Sequence, residues 1–397
     1  MVRGIITHAT VVSPGWEIAD GTIVIEDATI QSVQGPQCAH PEAAWCFDAA
    51  GAYVVPGFID VHTHGAVGCD VTDSDHPQAI EAIAKAKLEE GCTQFCPTTL
   101  TLSEAQLIAT FRRIAAYDNR YSRVLGVHLE GPYLNAHSLG AQNPAYVRPF
   151  SIEEIQRLQA IAPIAQVSFA VELPGGCAFT AAVRTLGCVP SCGHSQATFH
   201  AFAQGYACGL KHLTHFCNQM TPLHHRDIGL VGAGLLYDDV TVELICDKVH
   251  LAPEMIQLVF AKKPIASIQL ITDSMRASHL PDGPSSIGGL DVMVRNGEAR
   301  LASNNALAGS MLRMNVALRN VFELTQRPLC DIIQTTSYNQ AVEHGLGTCY
   351  GKIESGYCAD LVVLDKETFD VRQVFKAGAL VARGCESKKQ TGKSRYT

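Results

Sequence analysis

The sequence predicts an α/β protein, a (β/α)8 TIM-like barrel with a small β-sandwich domain built from both ends of the chain. Three features predict it. Eight short apolar runs recur between residues 54 and 274, helix-like segments lie between most of them, and strand texture occupies both ends. Residues 1–53 and 355–397 are read as the small β domain and 54–354 as the barrel. The chain's 397 residues fit one large barrel with an appendage.

The first fifty residues read as strands at 4–12, 21–26 and 29–33, punctuated by Gly, Pro and Asp. The eight apolar runs follow, at 54–64, 93–99, 124–131, 167–173, 189–195, 210–218, 240–247 and 268–274. Runs without polar alternation suit strands covered on both faces. Helix-like segments fall at 77–90, 103–117, 151–161, 179–186 and 253–261, with Ser103 and Ser151 as N-caps before acidic first turns. Further helices are expected at 311–323 and 329–340, then strands at 359–364 and 373–382. The polar segment 388–397 is expected to be loose. A doubly wound sheet is the rival architecture, but no G-x-G-x-x-G follows any run.

Composition narrows the function. A 47% hydrophobic, 17% charged chain can bury a large core, which excludes disorder and coiled coil as the main architecture. Its net charge of −8 supplies no bulk basic field for nucleic acid or an anionic membrane. No apolar run reaches the ~18–20 residues that span a bilayer. The 15 cysteines lie mostly in apolar segments without a C-x-x-C pair, which reads as buried, reduced thiols in the cytoplasm.

In a (β/α)8 barrel, polar residues at the C-terminal strand ends converge on one mouth. Five of the eight runs end in potential metal ligands: His62 with His64, Glu130, His194, His215 and Asp273. A spacing of two puts His62 and His64 on one strand face. One strand-end histidine is more often a hydrogen-bonded loop or core residue. Agreement among five ends points instead to Zn2+ or another divalent ion held by nitrogen and oxygen. A structural zinc site would use closely spaced cysteines, which are absent. A catalytic ion brings the pKa of bound water to about 7. Asp273 can then act as base on that water and as acid to a leaving group, and that chemistry is hydrolysis.

At these residues the sequence resembles the amidohydrolase superfamily and, within it, the N-acetylglucosamine-6-phosphate deacetylases. The matching segments are PGFIDVHTHG (56–65), GVHLEGPYLN (126–135), GHSQAT (193–198), THFCNQMTPLHHRDIGLVGAG (214–234), ITDSM (271–275) and LAGSML (307–312), in the family's order; GKIESGYCADLVVLD (351–365) resembles the return into the small domain. The resemblance implies Glu130, His194 and His215 as the main metal site, and His62 and His64 as holders of a second ion bridged by Glu130. It implies one or two divalent ions per subunit, with Zn2+ favoured over Fe2+ and others, and Asp273 as catalytic acid/base. The implied reaction converts N-acetyl-D-glucosamine 6-phosphate to D-glucosamine 6-phosphate and acetate. Phosphate would be gripped by Asn218, Gln219, Arg226 and His250, and the sugar would lie against Leu307, Ala308 and Gly309. A homodimer is also implied.

Three departures touch the substrate wall. Gln142 follows Gly140-Ala141 where the family has His, Gln219 stands for Ala or Gly, and Lys248 for Gly. They bear on the sugar more than on the reaction. The alternatives are the galactosamine epimer, a cyclic-amide hydrolase and a catalytically silent sugar-phosphate binder. Cyclic-amide hydrolases use a modified lysine on the fourth strand, where this chain has Glu172, and a silent binder has no need of Asp273.

Overall fold

A computed structural model describes residues 2–36, 42–73 and 76–383. The segment expected to be loose, 388–397, lies outside the described residues. Eight parallel strands, numbered β1–β8 in chain order, form the scaffold: Phe58–Thr63, Cys92–Pro97, Val127–Glu130, Ile164–Phe169, Val189–Cys192, His212–Leu213, Thr241–Ile245 and Ile268–Ile271. Strands β3 to β8 pair in sequence as one parallel sheet, and β1 with β2 as another. The two sheets meet at isolated parallel bridges, Thr98 with His128 on one side and Thr63 with Ser274 on the other. Each expected run contains one of these strands. The run 54–64 holds two, because it breaks at Pro56-Gly57: Tyr53–Pro56 pairs in the small sheet and β1 begins at Phe58.

The connecting helices fall close to expectation, at Ala79–Glu89, Glu104–Ala115, Ile152–Gln159, Gly176–Thr185 and Pro253–Lys262. Ser103 and Ser151 cap their helices, accepting from the backbone N–H groups of Gln106 and Glu154. The helix expected over 329–340 is broken instead into Leu329–Ile332, a 3-10 turn at Ile333–Thr336 and Tyr338–Glu343.

Strands from both chain ends share one eight-stranded sheet rather than two stacked ones. Its order runs Ala379–Arg383, Val371–Lys376, Leu361–Leu364, Tyr53–Pro56, Arg3–Ser13, Trp16–Glu26, Thr29–Gln34, with Trp45–Asp48 also paired to Arg3–Ser13. The sheet curls, so Phe375 stacks on Trp45 at 5.6 Å and meets Phe47 edge-on. Its apolar face includes Ile6, Val11, Ile23, Val54, Leu361 and Val363.

Two features depart from the sequence reading. A three-stranded antiparallel sheet follows β8, at Gly283–Ile287, Leu290–Arg295 and Glu298–Leu301. Its turns are Gly288-Gly289 and Asn296-Gly297, all four residues at positive φ, the backbone that two-residue hairpins require. Cys177 and Cys208, in adjacent helical segments, are joined by a disulfide, which corrects the reading of uniformly reduced thiols. The other cysteines among the described residues are free. Among the described residues, no helix is long and apolar enough to cross a membrane.

A buried charge cluster ties β1 to β8. Lys87 Nζ lies 2.9 Å from Asp60 and 2.8 Å from Glu90, all three fully enclosed. Asp60 also accepts from the Thr272 backbone N–H (3.2 Å) and hydroxyl (2.6 Å). Burial works to raise the Glu90 carboxyl, but Lys87 and His279 outweigh it and bring it down to about 2. Lys87→Met should therefore destabilise the chain by about 3–5 kcal/mol in chemical denaturation, since it strands two buried carboxylates. Because the folded value lies below the ordinary 4.5, the Glu90 contribution is present above pH 4.5 and lost as pH falls through about 2. Wild type should lose stability across that window, and the Met variant should lose less.

Candidate metal centre and active site

Six side chains from five strand ends meet in one cluster with the Glu130 carboxylate at its centre, each at most 7% exposed. Glu130 Oε1 lies 3.2 Å from His194 Nε2, 3.1 Å from His215 Nε2 and 3.5 Å from His62 Nε2, and Oε2 lies 3.3 Å from His64 Nε2. Asp273 Oδ1 is 3.2 Å from His64 Nε2 and 3.5 Å from His62 Nε2. Two groups of ligand atoms result, Glu130 with His194 and His215, and His62 with His64 and Asp273.

The imidazoles are aimed from behind. His194 Nδ1 donates to the Ser138 carbonyl (2.8 Å), His64 Nδ1 to the Thr98 carbonyl (3.2 Å) and His62 Nδ1 to Glu243 (3.0 Å). Each therefore turns Nε2 inward, where His194 meets His215 at 2.9 Å and His62 meets His64 at 3.3 Å. Nitrogen pairs this close need a cation or a proton between their lone pairs, so the donor set fits a divalent ion. Without one, the carboxylates favour protons. Burial works to lower His62, yet Asp273 and Glu130 outweigh it and raise it to about 9. Burial works to raise Glu130, yet the surrounding histidines hold it well below the ordinary range.

The backbone supports this convergence at a cost. His194, His215 and Asp273 have φ of 48°, 33° and 48°, the left-handed region that costs roughly 1–3 kcal/mol per residue. Each follows the end of its strand, where the turn swings the side chain over the mouth. Glu172 braces the His194 loop by accepting from Ser195 Oγ (2.5 Å), the Gln196 backbone N–H (2.6 Å) and Asn135 Nδ2 (2.8 Å).

Above the cluster lies a cavity of about 270 Å³. Of the residues read from the sequence, His64, Glu130, Ala141, Gln142, His194, His215, Asn218, Gln219, His250, Asp273, Leu307 and Gly309 line it, with His62 behind them. Two do not. Ala308 is fully buried in the apolar cluster with Met275 and Ile287, its backbone N–H bonded to Ala299. Arg226 is exposed on the loop before the helix Gly229–Leu236, its guanidinium 2.7 Å from His225 Nε2. Leu100, Ile287 and Ala306 were not expected on the wall. Ile287 comes from the three-stranded sheet, which the Asn296-Gly297 turn signal could have revealed.

Gln142 is committed at both ends. Its carbonyl accepts from the Thr101 backbone N–H (2.7 Å) and its amide donates to Glu130 Oε2 (2.6 Å). His250 Nδ1 donates to Asp247 (2.7 Å). Burial works to lower His250, but Asp247 prevails and its pKa is raised.

A parallel α/β scaffold carrying imidazoles and carboxylates at its strand ends defines a hydrolase site that accommodates metal. The amidohydrolase family model matches residues 53–381, and the chain belongs to that family. Within the family it is similar to the N-acetylglucosamine-6-phosphate deacetylase of Lysinibacillus sphaericus, 34% identical, covering 95% of this chain and 97% of the relative. It is also 33% identical to the N-acetylgalactosamine-6-phosphate deacetylase of Escherichia coli O157:H7, covering 93% and 96%. Among solved structures, the N-acetylglucosamine-6-phosphate deacetylase of Thermotoga maritima superposes with a TM-score of 0.86 at 36% identity, covering 96% of this chain and all of the other. A mutant of the Mycobacterium smegmatis enzyme, in complex with N-acetyl-D-glucosamine-6-phosphate, superposes with a TM-score of 0.88 at 28% identity over the same shares.

The crowded nitrogen pairs make a thermal prediction. Zn2+ added to chelated protein should raise Tm in calorimetry, by the equivalent of about 2.7 kcal/mol at a hundredfold excess over Kd. An unchanged Tm would remove the metal centre.

Proposed function

We propose that the protein deacetylates N-acetyl-D-glucosamine 6-phosphate, releasing D-glucosamine 6-phosphate and acetate. The observation that carries this is the meeting of Glu130, His194, His215, His62, His64 and Asp273 at the floor of one cavity. Glu130, His194 and His215 would hold the main ion, and His62 and His64, beside Glu130, would hold a second, with Zn2+ the favoured metal. When bound, the ion polarises the acetamide carbonyl and provides water that ionises near neutral pH.

The chain's own groups do the rest. Asp273 takes the proton of the attacking water and returns it to the amine nitrogen as the C–N bond breaks. Gln142 offers its second amide hydrogen to the acetyl end, the first being given to Glu130. Asn218, Gln219 and His250 receive the phosphate from the cavity wall. Leu307 and Gly309 form the segment beside the sugar, with Ile287 and Leu100 completing that wall and Ala308 packed behind it. Arg226 lies outside the cavity of its own chain, and in the homodimer that the family resemblance implies it reaches the partner's phosphate.

The two bridges at Thr98–His128 and Thr63–Ser274 support a ring of eight strands closed as a TIM-like barrel. We assign residues 54–354 to it and 1–53 with 355–397 to the small domain, the strand Tyr53–Pro56 lying at the junction. Eleven free cysteines against one disulfide among the described residues support a cytoplasmic setting.

The galactosamine epimer is the second reading, favoured by the Escherichia coli O157:H7 relative. A panel of N-acetylhexosamines with and without 6-phosphate, assayed for released amine, should give the highest kcat/KM with the glucosamine 6-phosphate. A higher value for the galactosamine epimer would exchange the two readings. Asp273→Asn should lower kcat by about 10²–10⁴, the usual contribution of a general acid or base. Wild-type turnover in that variant would exclude the assigned base. Arg226→Ala should raise KM for the phosphorylated sugar far more than for the free sugar, and equal effects would remove Arg226 from the phosphate site.

A further inference from the structure

The interior layer beneath the metal centre is polar where a barrel of this kind normally packs branched apolar side chains. Gln166, His128, His212, Glu243 and Gln269 all point there and are at most 1% exposed. Glu243, on β7, is the hub. Its Oε2 accepts from His62 Nδ1 (3.0 Å) and from the His215 backbone N–H (3.0 Å). Its Oε1 accepts from Gln166 Nε2 (2.7 Å) and His212 Nε2 (3.0 Å). Four donors thus fix one carboxylate from β1, β4 and β6, so it has no freedom to rotate.

The support continues away from the site. His212 Nδ1 donates to Glu343 (2.9 Å), which also accepts from Gln269 Nε2 (2.6 Å). Glu343 lines a separate cleft with Gly187, Cys188, Gly209 and Lys211, residues that precede β5 and β6 and so lie at the opposite strand ends. A continuous hydrogen-bonded chain therefore runs from His62 through Glu243 and His212 to the far face.

We propose that Glu243 is a positioning residue that fixes the ring of His62 with Nε2 facing the mouth, and thereby sets the affinity of the second metal position. This rests on the two-ion reading given above. The first position depends on it less, because Ser138 orients His194 and Gln142 holds Glu130, and Glu243 reaches His215 only at its backbone N–H rather than at its ring. Partners behind a metal-ligating histidine typically change metal affinity by 10–100-fold.

The test combines proton NMR with calorimetric Zn2+ titration of the full chain, wild type against Glu243→Met and Glu243→Gln. Wild type should show a far-downfield imidazole N–H that disappears in His62→Asn. Glu243→Met should abolish that signal and weaken the second equivalent of Zn2+ by about 10–100-fold, leaving the first less affected. Glu243→Gln keeps a carbonyl oxygen within reach of His62, so it should move the signal upfield and restore most of the second-site affinity. Absence of the signal in wild type, or an unchanged signal and second-site affinity in the Met variant, would overturn the proposal. If the Met variant does not fold, a His62 signal unmoved in Glu243→Gln overturns it. Uptake of a single Zn2+ by wild type would refute the two-ion reading alone, because the His62 signal and its response to Glu243 would still decide the orienting role.

Discussion

A carboxylate withdrawn from water and surrounded by imidazoles is the constraint on which the site depends. Glu130 is 1% exposed, and four Nε2 atoms lie within 3.5 Å of its oxygens. Removing an ionised carboxylate from water costs several kcal/mol unless opposite charge or hydrogen bonds replace the lost hydration. Protons on the histidines can meet that need, as the raised His62 shows, and so can a divalent ion. The same cluster is thus tolerable to the fold in either form, while only the ion leaves Asp273 without a competing imidazolium partner.

Placing these groups requires rigidity from outside the cluster. Three of the imidazoles are held through Nδ1 by acceptors on other segments, and the β1 and β8 ends are clamped by Asp60, Lys87 and Thr272. The left-handed backbone at His194, His215 and Asp273 persists because such anchors over-determine it. Strain at these three residues and the buried charges beneath them are therefore parts of one arrangement. The apolar packing around the strands supplies the stability against which both are set.

Much of the scaffold was legible because strands covered on both faces cannot alternate, so they appear as continuous apolar runs. The strand-end ligands were legible for a related reason: His62, Glu130, His194, His215 and Asp273 each interrupt or close such a run with a group that is costly to bury. What stayed hidden depends on contacts between distant segments. Nothing local marks that Gln142 would be held between Thr101 and Glu130, or that Cys177 would meet Cys208 across 31 residues. Glu243 and His212 were present as unexplained polar residues in apolar runs, a signal that the strand-end argument passed over. The three-stranded sheet left only the Asn296-Gly297 turn as a local mark, because its strands mix buried with half-buried and exposed positions and form no continuous apolar run.

That hairpin sheet matters to the site because it contributes to the cavity wall. Ile287 reaches the cavity while Val292, Val294, Ala299 and Leu301 pack into the cluster that also holds Met275, two residues beyond Asp273. The hairpin sheet and the Asp273 turn therefore share one small core, and the segment 308–310 links them, Ala308 donating its backbone N–H to the Ala299 carbonyl (3.0 Å) and Ser310 to the Asp273 carbonyl (2.7 Å). The shape of the cavity's apolar wall and the placement of Asp273 are consequently not independent. A change of side-chain volume at Ala308 or Met275, though neither lines the cavity, acts on both, whereas Gln219 and Asn218 line the cavity outside that core.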